Sequence, residues 1–301
     1  MNGSILFSSL LLILTLSDPG RPSSQMPTAP SNLEAKQTHS LMSAPARLPF
    51  HLHWGYLVII EGSIGNVQKL HFLVDTGAYP SVVDQKIAHT LGLAEQPARV
   101  TLSNSSVQTR LVVLPSLLMG SVRVESLPVL TQDLSFFQKA LGHRVDAIVG
   151  MDVLRKSSFS INYRTKEMLF GPVDGLRFSV PFETDTPVVT IRMGSQHRQL
   201  RLVVDTGGPD LMLFQSSISD STDFLALGTE KVMDVNGAFQ RRRVRIPEVY
   251  LGNVKIGPQI AFVADDRKDE GDNFDGVLGV RGPQFWKIAF DFEHQSFSWE
   301  Q

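Results

Sequence analysis

An internal repeat is the feature that most constrains how this chain of 301 residues can fold. Leu70 to Gly77 read LHFLVDTG and Leu200 to Gly207 read LRLVVDTG, so Asp-Thr-Gly follows an apolar stretch in each half. An apolar-apolar-Gly element then recurs at a nearly equal offset, its glycine lying 75 residues after the first aspartate and 74 after the second. Landmarks that keep their order and spacing predict two structural units of similar fold.

Short apolar stretches broken by Gly, Pro, Asn and Asp continue from Phe50 onward, which predicts mostly β structure. Together with the repeat, this pattern predicts an all-β fold with two pseudo-symmetric lobes, residues 50–178 and residues 179–301. Few helices are expected, and all of them short. One runs from Asp84 as N-cap to Leu91, and another from Leu134 to Leu141, because a glycine follows each stretch.

The N-terminal residues have the composition of a leader. An apolar run from Ile5 to Leu16, followed by small and polar residues, predicts a signal peptide over residues 1–17 and a secreted or periplasmic protein. An uncleaved membrane anchor is the alternative, although the run is shorter than a typical membrane span, and no stable span is expected. Residues 18–49 are rich in Pro, Ser, Ala and Thr, which predicts a flexible linker or a pro-segment.

The composition limits which partners and which kinds of catalysis are open to this chain. The chain has 28 Lys and Arg against 30 Asp and Glu, so no strong positive field favours nucleic acid as a partner. It has no cysteine, which excludes disulfides, thiol catalysis and cysteine-rich zinc sites. Any reaction must therefore use oxygen, imidazole or amine groups.

The repeated motifs resemble those of the pepsin and retropepsin superfamily of aspartic peptidases, and the resemblance covers nearly everything after Phe50. It implies that strands deliver catalytic aspartates, and that apolar-apolar-Gly elements pack beside them as psi loops. The region after the first motif looks more like bacterial retropepsin-like proteins than animal pepsins. The residues concerned are the catalytic pair Asp75 and Asp205, their loop partners Thr76, Gly77, Thr206 and Gly207, and the psi-loop residues Ile148, Val149, Gly150, Val277, Leu278 and Gly279.

Two facing carboxylates suit peptide hydrolysis, because like charges a few ångströms apart cannot both ionise readily and the pair holds one proton. The ionised member takes a proton from water while the protonated member donates to the carbonyl oxygen. The glycines permit a tight backbone path, and the resemblance implies that Thr76 and Thr206 interlock between the lobes. The sequence thus predicts an aspartic endopeptidase acting on polypeptides as a monomer, without metal or cofactor.

Departures from the family pattern keep a second function open. Pepsin-like enzymes usually carry Ser or Thr after the motif glycine, but this chain has Ala78 and Gly208. The flap tyrosine of pepsins has no obvious counterpart near residues 103–107, although Phe239 lies in the equivalent hairpin. The alternative is a catalytically silent peptide-binding or inhibitor protein that keeps the fold.

Other features favour ordinary structure. His51 and His53 share one face of a strand and could bind a metal, but no third ligand is evident in the sequence. The acidic stretch from Asp265 to Asp275 does not have EF-hand spacing and predicts a solvated loop. The run Arg241 to Arg243 predicts a solvent-facing strand in the hairpin of the second half.

Overall fold

Strands dominate the fold, and the prediction of an all-β protein is confirmed. The computed structural model describes residues 6–7, 12–13, 46–102, 105–183, 186–195, 197–218, 224–234, 237–266 and 274–301. Most of the predicted leader, linker and acidic loop lies outside these residues. The strands of the first half are β1 (Leu6–Phe7), β2 (Leu12–Ile13), β3 (Ala46–His53), β4 (Leu57–Ile64), β5 (Val67–Val74), β6 (Ala78–Tyr79), β7 (Val82–Asp84), β8 (Gln96–Leu102), β9 (Ser105–Met119), β10 (Val122–Gln132), β11 (Ala147–Val149), β12 (Phe159–Asn162) and β13 (Glu167–Phe170). Those of the second half are β14 (Phe178–Pro181), β15 (Val188–Met193), β16 (Arg198–Asp205), β17 (Leu211–Phe214), β18 (Leu225–Asp234), β19 (Gly237–Leu251), β20 (Val254–Ala264), β21 (Gly276–Gly279), β22 (Lys287–Asp291) and β23 (Ser296–Glu300).

The first Asp-Thr-Gly follows a strand in the middle of a sheet. β5 ends at Val74, with β4 antiparallel on one side and β11 parallel on the other. β11 also pairs antiparallel with β7, and β7 pairs in parallel with β10. Phe72, Leu73 and Val74 are buried, because neighbours cover both edges and both faces of this strand.

Four strands of the second half have the same order and directions. β16 pairs in parallel with β21, which pairs antiparallel with β17, and β17 pairs in parallel with β20. These strands belong to an eight-stranded sheet, whereas β5, β11, β7 and β10 belong to a thirteen-stranded sheet. The second Asp-Thr-Gly begins at the last residue of β16, where Asp205 lies opposite Gly279 of β21.

Strands from both halves of the sequence also share one sheet. β12 pairs with β13 on one edge and with β22 on the other, and β22 continues through β23 to β14. The aromatic residues Phe159, Phe290, Phe297 and Trp299 are fully buried along this sheet. The division into lobes at residues 178 and 179 stays a prediction.

Both predicted helices are present. α1 (Gln85–Thr90) begins after Asp84, whose carboxylate accepts a hydrogen bond from the Lys86 amide at 2.8 Å. α2 (Ser135–Leu141) ends at Gly142 in the left-handed conformation, and its Phe137 is buried. The sequence did not predict α3 (Met151–Leu154), which follows the first psi loop, or the 3-10 turn Gln215–Ser217.

Two short stretches of the leader pair with the body of the fold. β1 lies parallel to β18, and β2 lies parallel to β6, so that Leu12 and Ile13 align with Ala78 and Tyr79. No helix in the described part of the chain is long and apolar enough to cross a membrane. The signal peptide and its cleavage stay a prediction.

Candidate active site

The structure brings the two predicted aspartates together. Asp75 follows β5, Asp205 ends β16, and both residues are fully buried. Each carboxyl group lies against the glycine of the opposite motif, so the two carboxyl groups are neighbours. The backbone N–H of Asp75 donates to the carbonyl of Val149 at 3.0 Å, which ties the first aspartate to its psi-loop strand.

The two threonines exchange hydrogen bonds between the motifs. The Thr76 amide donates to Thr206 Oγ1 at 3.1 Å, and the Thr206 amide donates to Thr76 Oγ1 at 3.0 Å. Each hydroxyl then donates across to the strand before the other aspartate, Thr76 to the Val204 carbonyl at 2.7 Å and Thr206 to the Val74 carbonyl at 3.0 Å. Four buried hydrogen bonds therefore fix the motif loops relative to each other.

Each motif glycine faces the carboxyl group of the other motif. A Cβ atom on Gly77 would lie 2.6 Å from Asp205 Cγ, and one on Gly207 would lie 2.5 Å from Asp75 Oδ2. The Gly77 amide donates to Asp75 Oδ1 at 2.8 Å, and the Gly207 amide donates to Asp205 Oδ1 at 2.7 Å. Glycine is required at both positions because the opposite carboxyl group occupies the space of a side chain.

The psi-loop residues support the motifs by packing. Ile148, Val149, Val277 and Leu278 are fully buried. Gly150 and Gly279 lie against the motif loops, where a Cβ atom would collide with the Ala78 carbonyl in one case and approach Gly208 O to 2.6 Å in the other. The loop and psi-loop residues predicted from the sequence therefore assemble around the two carboxyl groups.

Burial and proximity set the protonation of the pair. Burial raises the pKa of Asp75 well above its usual value, and the adjacent Asp205 carboxyl raises it further. The backbone amides of Gly77 and Ala78 oppose this rise, because they donate hydrogen bonds to the carboxyl group. The site can thus hold a proton between two carboxyl groups away from bulk water.

The described geometry agrees with a comparison to known families. Residues 60–153 match the family model described as aspartyl protease. This match supports an aspartyl protease family for the chain and includes the first motif and first psi loop. The second motif and the bacterial character proposed from the sequence lie outside what the match shows. A search of curated proteins found no match.

Support for the two Asp-Thr-Gly motifs differs beyond the glycines. In the first half, the buried Ser81 hydroxyl donates to Asp152 at 2.6 Å and accepts from the Gly150 amide at 2.9 Å. In the second half, Asp210 forms an ion pair with Arg281 at 2.9 Å. Burial raises the pKa of Asp152. None of these four side chains was predicted as part of the site, since each lies outside the repeated motif.

Tyr56 is another residue that the sequence did not reveal. It is 1% exposed, and the Arg281 guanidinium carbon lies 5.5 Å from its ring centroid. Burial is the main cause that raises the pKa of Tyr56, and the charges of Asp205, Asp210 and Asp75 add to it while Arg281 opposes it. Tyr56 immediately precedes the apolar strand β4, and no motif marks it.

The predicted histidine pair lies next to His143, which also contacts His71. The ring of His143 lies 5.0 Å from that of His51, 5.0 Å from that of His53 and 4.8 Å from that of His71, between centroids. Among the described residues, no group of three or more potential ligands is arranged to hold a metal ion. The side chains of Phe239 and of residues 103–107 lie outside the described side chains.

Proposed function

We propose that this chain is an aspartic endopeptidase in which Asp75 and Asp205 activate a water molecule against the peptide bond. The observation that carries the proposal is the meeting of two fully buried carboxyl groups from separate Asp-Thr-Gly loops. The match of residues 60–153 to an aspartyl protease family supports the same reaction class.

The reaction uses the single proton of the pair. The ionised carboxylate takes a proton from water as the water oxygen bonds to the peptide carbonyl carbon, and the protonated carboxyl donates to the carbonyl oxygen. The resulting gem-diol then collapses. One gem-diol hydroxyl gives its proton to the ionised carboxylate as the C–N bond breaks, the amine nitrogen receives a proton from the protonated carboxyl, and the pair returns to its starting state. Because the two titrations are coupled, the apparent pKa values belong to the pair.

Substitution of either aspartate tests this function. We expect Asp75→Asn and Asp205→Asn each to lower peptide cleavage by about 10²-fold to 10⁴-fold, because an amide cannot exchange the shared proton. Cleavage of a peptide library from acid to neutral pH is the measurement. Asp174→Asn, at an exposed aspartate, is the matched control and should retain wild-type activity.

Full activity in either variant would remove that aspartate from the mechanism. A wild-type protein that binds peptides but cleaves none at any pH would favour the silent peptide-binding or inhibitor protein. Ala78 and Gly208 are the observation behind this second candidate, because neither supplies the hydroxyl that usually supports the carboxylates.

A stability measurement tests the buried pair without relying on catalysis. The pKa of Asp75 is raised, so the folded state keeps a proton that the unfolded state releases above about pH 3.9. Stability is therefore greatest below that pH and falls as the pH rises toward the raised pKa. We expect Asp75→Asn to unfold at a higher temperature than the wild type at pH 7 and to lose this pH dependence. A variant less stable than the wild type at pH 7 would contradict the assignment.

We also propose that one chain forms a complete site, since each motif supplies one carboxyl group. Mixing Asp75→Asn protein with Asp205→Asn protein should restore no cleavage. Recovered activity would mean that motifs from different chains meet. Specific activity of the wild type should be independent of enzyme concentration down to the nanomolar range.

We propose further that the protein acts outside the cytoplasm, on the basis of the apolar run from Ile5 to Leu16. Protein recovered from its native host should begin between about Ser17 and Pro49 when its N-terminus is sequenced. Finding Met1 on protein from the cytoplasm would refute the export proposal.

A further inference from the structure

Tyr56 lies where the two halves of the sequence meet. It is the last residue of the turn between β3 and β4, and its backbone amide donates to the His53 carbonyl at 3.1 Å. Its hydroxyl is buried and has no hydrogen-bond partner among the residues that the structure describes. Burying an unpaired hydroxyl is costly, so a tyrosine at this position needs a compensating role.

The face of the Tyr56 ring contacts a cation from the second half of the chain. The Arg281 guanidinium carbon lies 5.5 Å from the ring centroid, within the range of a cation–π interaction. The same guanidinium donates to Asp210 Oδ2 at 2.9 Å. Tyr56 and Asp210 thus hold Arg281 from opposite halves of the sequence.

Arg281 belongs to a segment that clamps the backbone after the second motif. The amides of Arg281 and Gly282 both donate to the Pro209 carbonyl, at 3.0 Å and 2.8 Å. The amides of Val280 and Gly279 donate to the carbonyls of Gly208 and Asp210, at 3.2 Å and 3.1 Å. Gly208 has no side chain and Pro209 has no N–H, so the support of this loop comes from the 279–282 segment.

The charged groups of the site act on the Tyr56 hydroxyl. Asp75, Asp205, Asp210 and Arg281 all interact electrostatically with its hydroxyl group. Tyr163, which follows β12, is buried and also interacts with Asp205. A shift of Arg281 would therefore change both the path of the second loop and the field at the aspartate pair.

We propose that Tyr56 is a positioning residue for the second aspartate. Its ring contacts Arg281, and Arg281 in turn holds the Gly208-Pro209-Asp210 segment that follows Asp205. This inference rests on the proposed peptidase function. The first half needs no such residue, since Ser81 and Asp152 support its loop from within the same half.

Four variants test the role of the ring and the cation separately. We expect Tyr56→Leu and Arg281→Gln each to lower kcat about 10-fold to 100-fold with little change in KM, because the loop carrying Asp205 is displaced. The acid limb of the pH profile should move to higher pH in both, since a positive charge near the pair is lost or moved. Tyr56→Phe keeps the ring and should stay within about threefold of wild type, and Arg281→Lys should recover part of the activity lost in Arg281→Gln.

A matched control uses the same kind of contact elsewhere. Arg192 lies over the ring of Tyr250 at 5.6 Å, on strands β15 and β19. Tyr250→Leu should leave kcat and the pH profile unchanged. A merely structural role for Tyr56 would lower the active fraction without moving the pH profile. An unshifted profile in Tyr56→Leu, or equal damage by Tyr56→Phe and Tyr56→Leu, would overturn the proposal.

A readout independent of cleavage separates this inference from the proposed function. In the inactive Asp75→Asn background, the melting temperature shifts of Tyr56→Leu and Arg281→Gln should be non-additive in the double variant, because they remove one contact. Additive shifts would show that the contact between the Tyr56 ring and Arg281 does not stabilise the protein. Non-additive shifts in a protein whose wild type cleaves nothing would refute the peptidase function while leaving the contact established.

Discussion

The two Asp-Thr-Gly loops are alike where they meet and different where each joins its own half. Both present an aspartate, a threonine that crosses to the opposite strand, and a glycine against the opposite carboxyl group. The first loop is supported by the hydrogen bond between Ser81 and Asp152. The second is supported by the ion pair of Arg281 with Asp210, in which Arg281 also contacts the Tyr56 ring.

This difference shows which part of the arrangement is fixed by chemistry. Two carboxyl groups that share a proton need matched distances and matched backbone donors, so the loops cannot diverge at their contact. The support behind each loop needs only to hold it still, and different side chains can do so. The following predictions test where the likeness ends.

The largest effect should come from the residues that the loops share. In Gly77→Ala or Gly207→Ala, the new Cβ atom meets the opposite carboxyl group at 2.6 Å or 2.5 Å. We expect both variants to lose cleavage about 10²-fold or more and to be destabilised by about 1–3 kcal/mol. Measured kcat/KM and thermal unfolding check this. Gly175→Ala, where a Cβ atom meets no atom within 4 Å, is the control. An active variant at one position alone would show that the loops are not equivalent there.

The supports should differ in their contribution to stability. Ser81→Ala leaves the Gly150 amide without its acceptor and removes a donor from Asp152, which should cost about 1–3 kcal/mol. Arg281→Met breaks an ion pair whose arginine is 35% exposed, so solvent screening limits the loss to about 1 kcal/mol or less. Urea denaturation of the two variants compares these free energies. A larger loss for Arg281→Met would reverse the comparison.

The missing hydroxyls should affect the pH profile. The backbone amide of Ala78 donates to the backbone carbonyl of Asp75 at 3.3 Å, and that of Gly208 donates to the backbone carbonyl of Asp205 at 3.4 Å. Ala78→Ser and Gly208→Ser therefore each place a hydroxyl close to an aspartate. A donor to an ionised carboxylate lowers its pKa, so we expect the acid limb to move to lower pH by up to about one unit. The pH dependence of kcat/KM measures this shift. Shifts of opposite sign in the two variants would mean that the hydroxyls reach different groups.

The smallest effect should come from a feature present in the first half alone. The backbone amides of His71 and Arg201 make the same bond to Asp146 and Asp275, at 2.8 Å each, but only His71 adjoins further imidazoles. Burial, and then nearby charges, lowers the pKa of His143 and His53. Stability is therefore full above the ordinary histidine pKa of about 6.5 and is lost as the pH falls below it through the lowered pKa values.

We expect His143→Gln to reduce this acid loss by about 0.5 kcal/mol or less, since the rings are partly exposed to solvent. Unfolding measured at pH 7 and pH 5 checks the result. His89→Gln, on the exposed face of α1, is the control. An unchanged acid loss in His143→Gln would show that the histidine group does not contribute.

Local signals predicted much of the fold and the centre of the site. The apolar stretches gave the β class, and Asp84 and Gly142 marked the two helices, because caps and periodicity act over a few residues. The repeat also identified the residues that surround the carboxyl pair. The α3 helix was missed, since its four residues are too few to show a period and no side chain caps it.

Contacts between distant parts of the chain could not be predicted. Tyr56 and Arg281 lie in opposite halves, and the ring that lies against His51 and His53 comes from the loop after α2. Such pairs depend on how strands are ordered and on the directions of their side chains. The spacing of residues in one sequence reveals neither of these, whereas the two copies of a repeated motif can be compared with each other.

The strand pairing between β12 and β22 has a consequence for synthesis on the ribosome. Asn162 pairs with Lys287, which follows it by 125 residues. At about 5–20 residues per second, one edge of β12 waits roughly 6–25 seconds for its partner strand. During that interval the nascent first half exposes unpaired backbone groups at a sheet edge, which is where chaperone binding or wrong pairing with another nascent chain would occur.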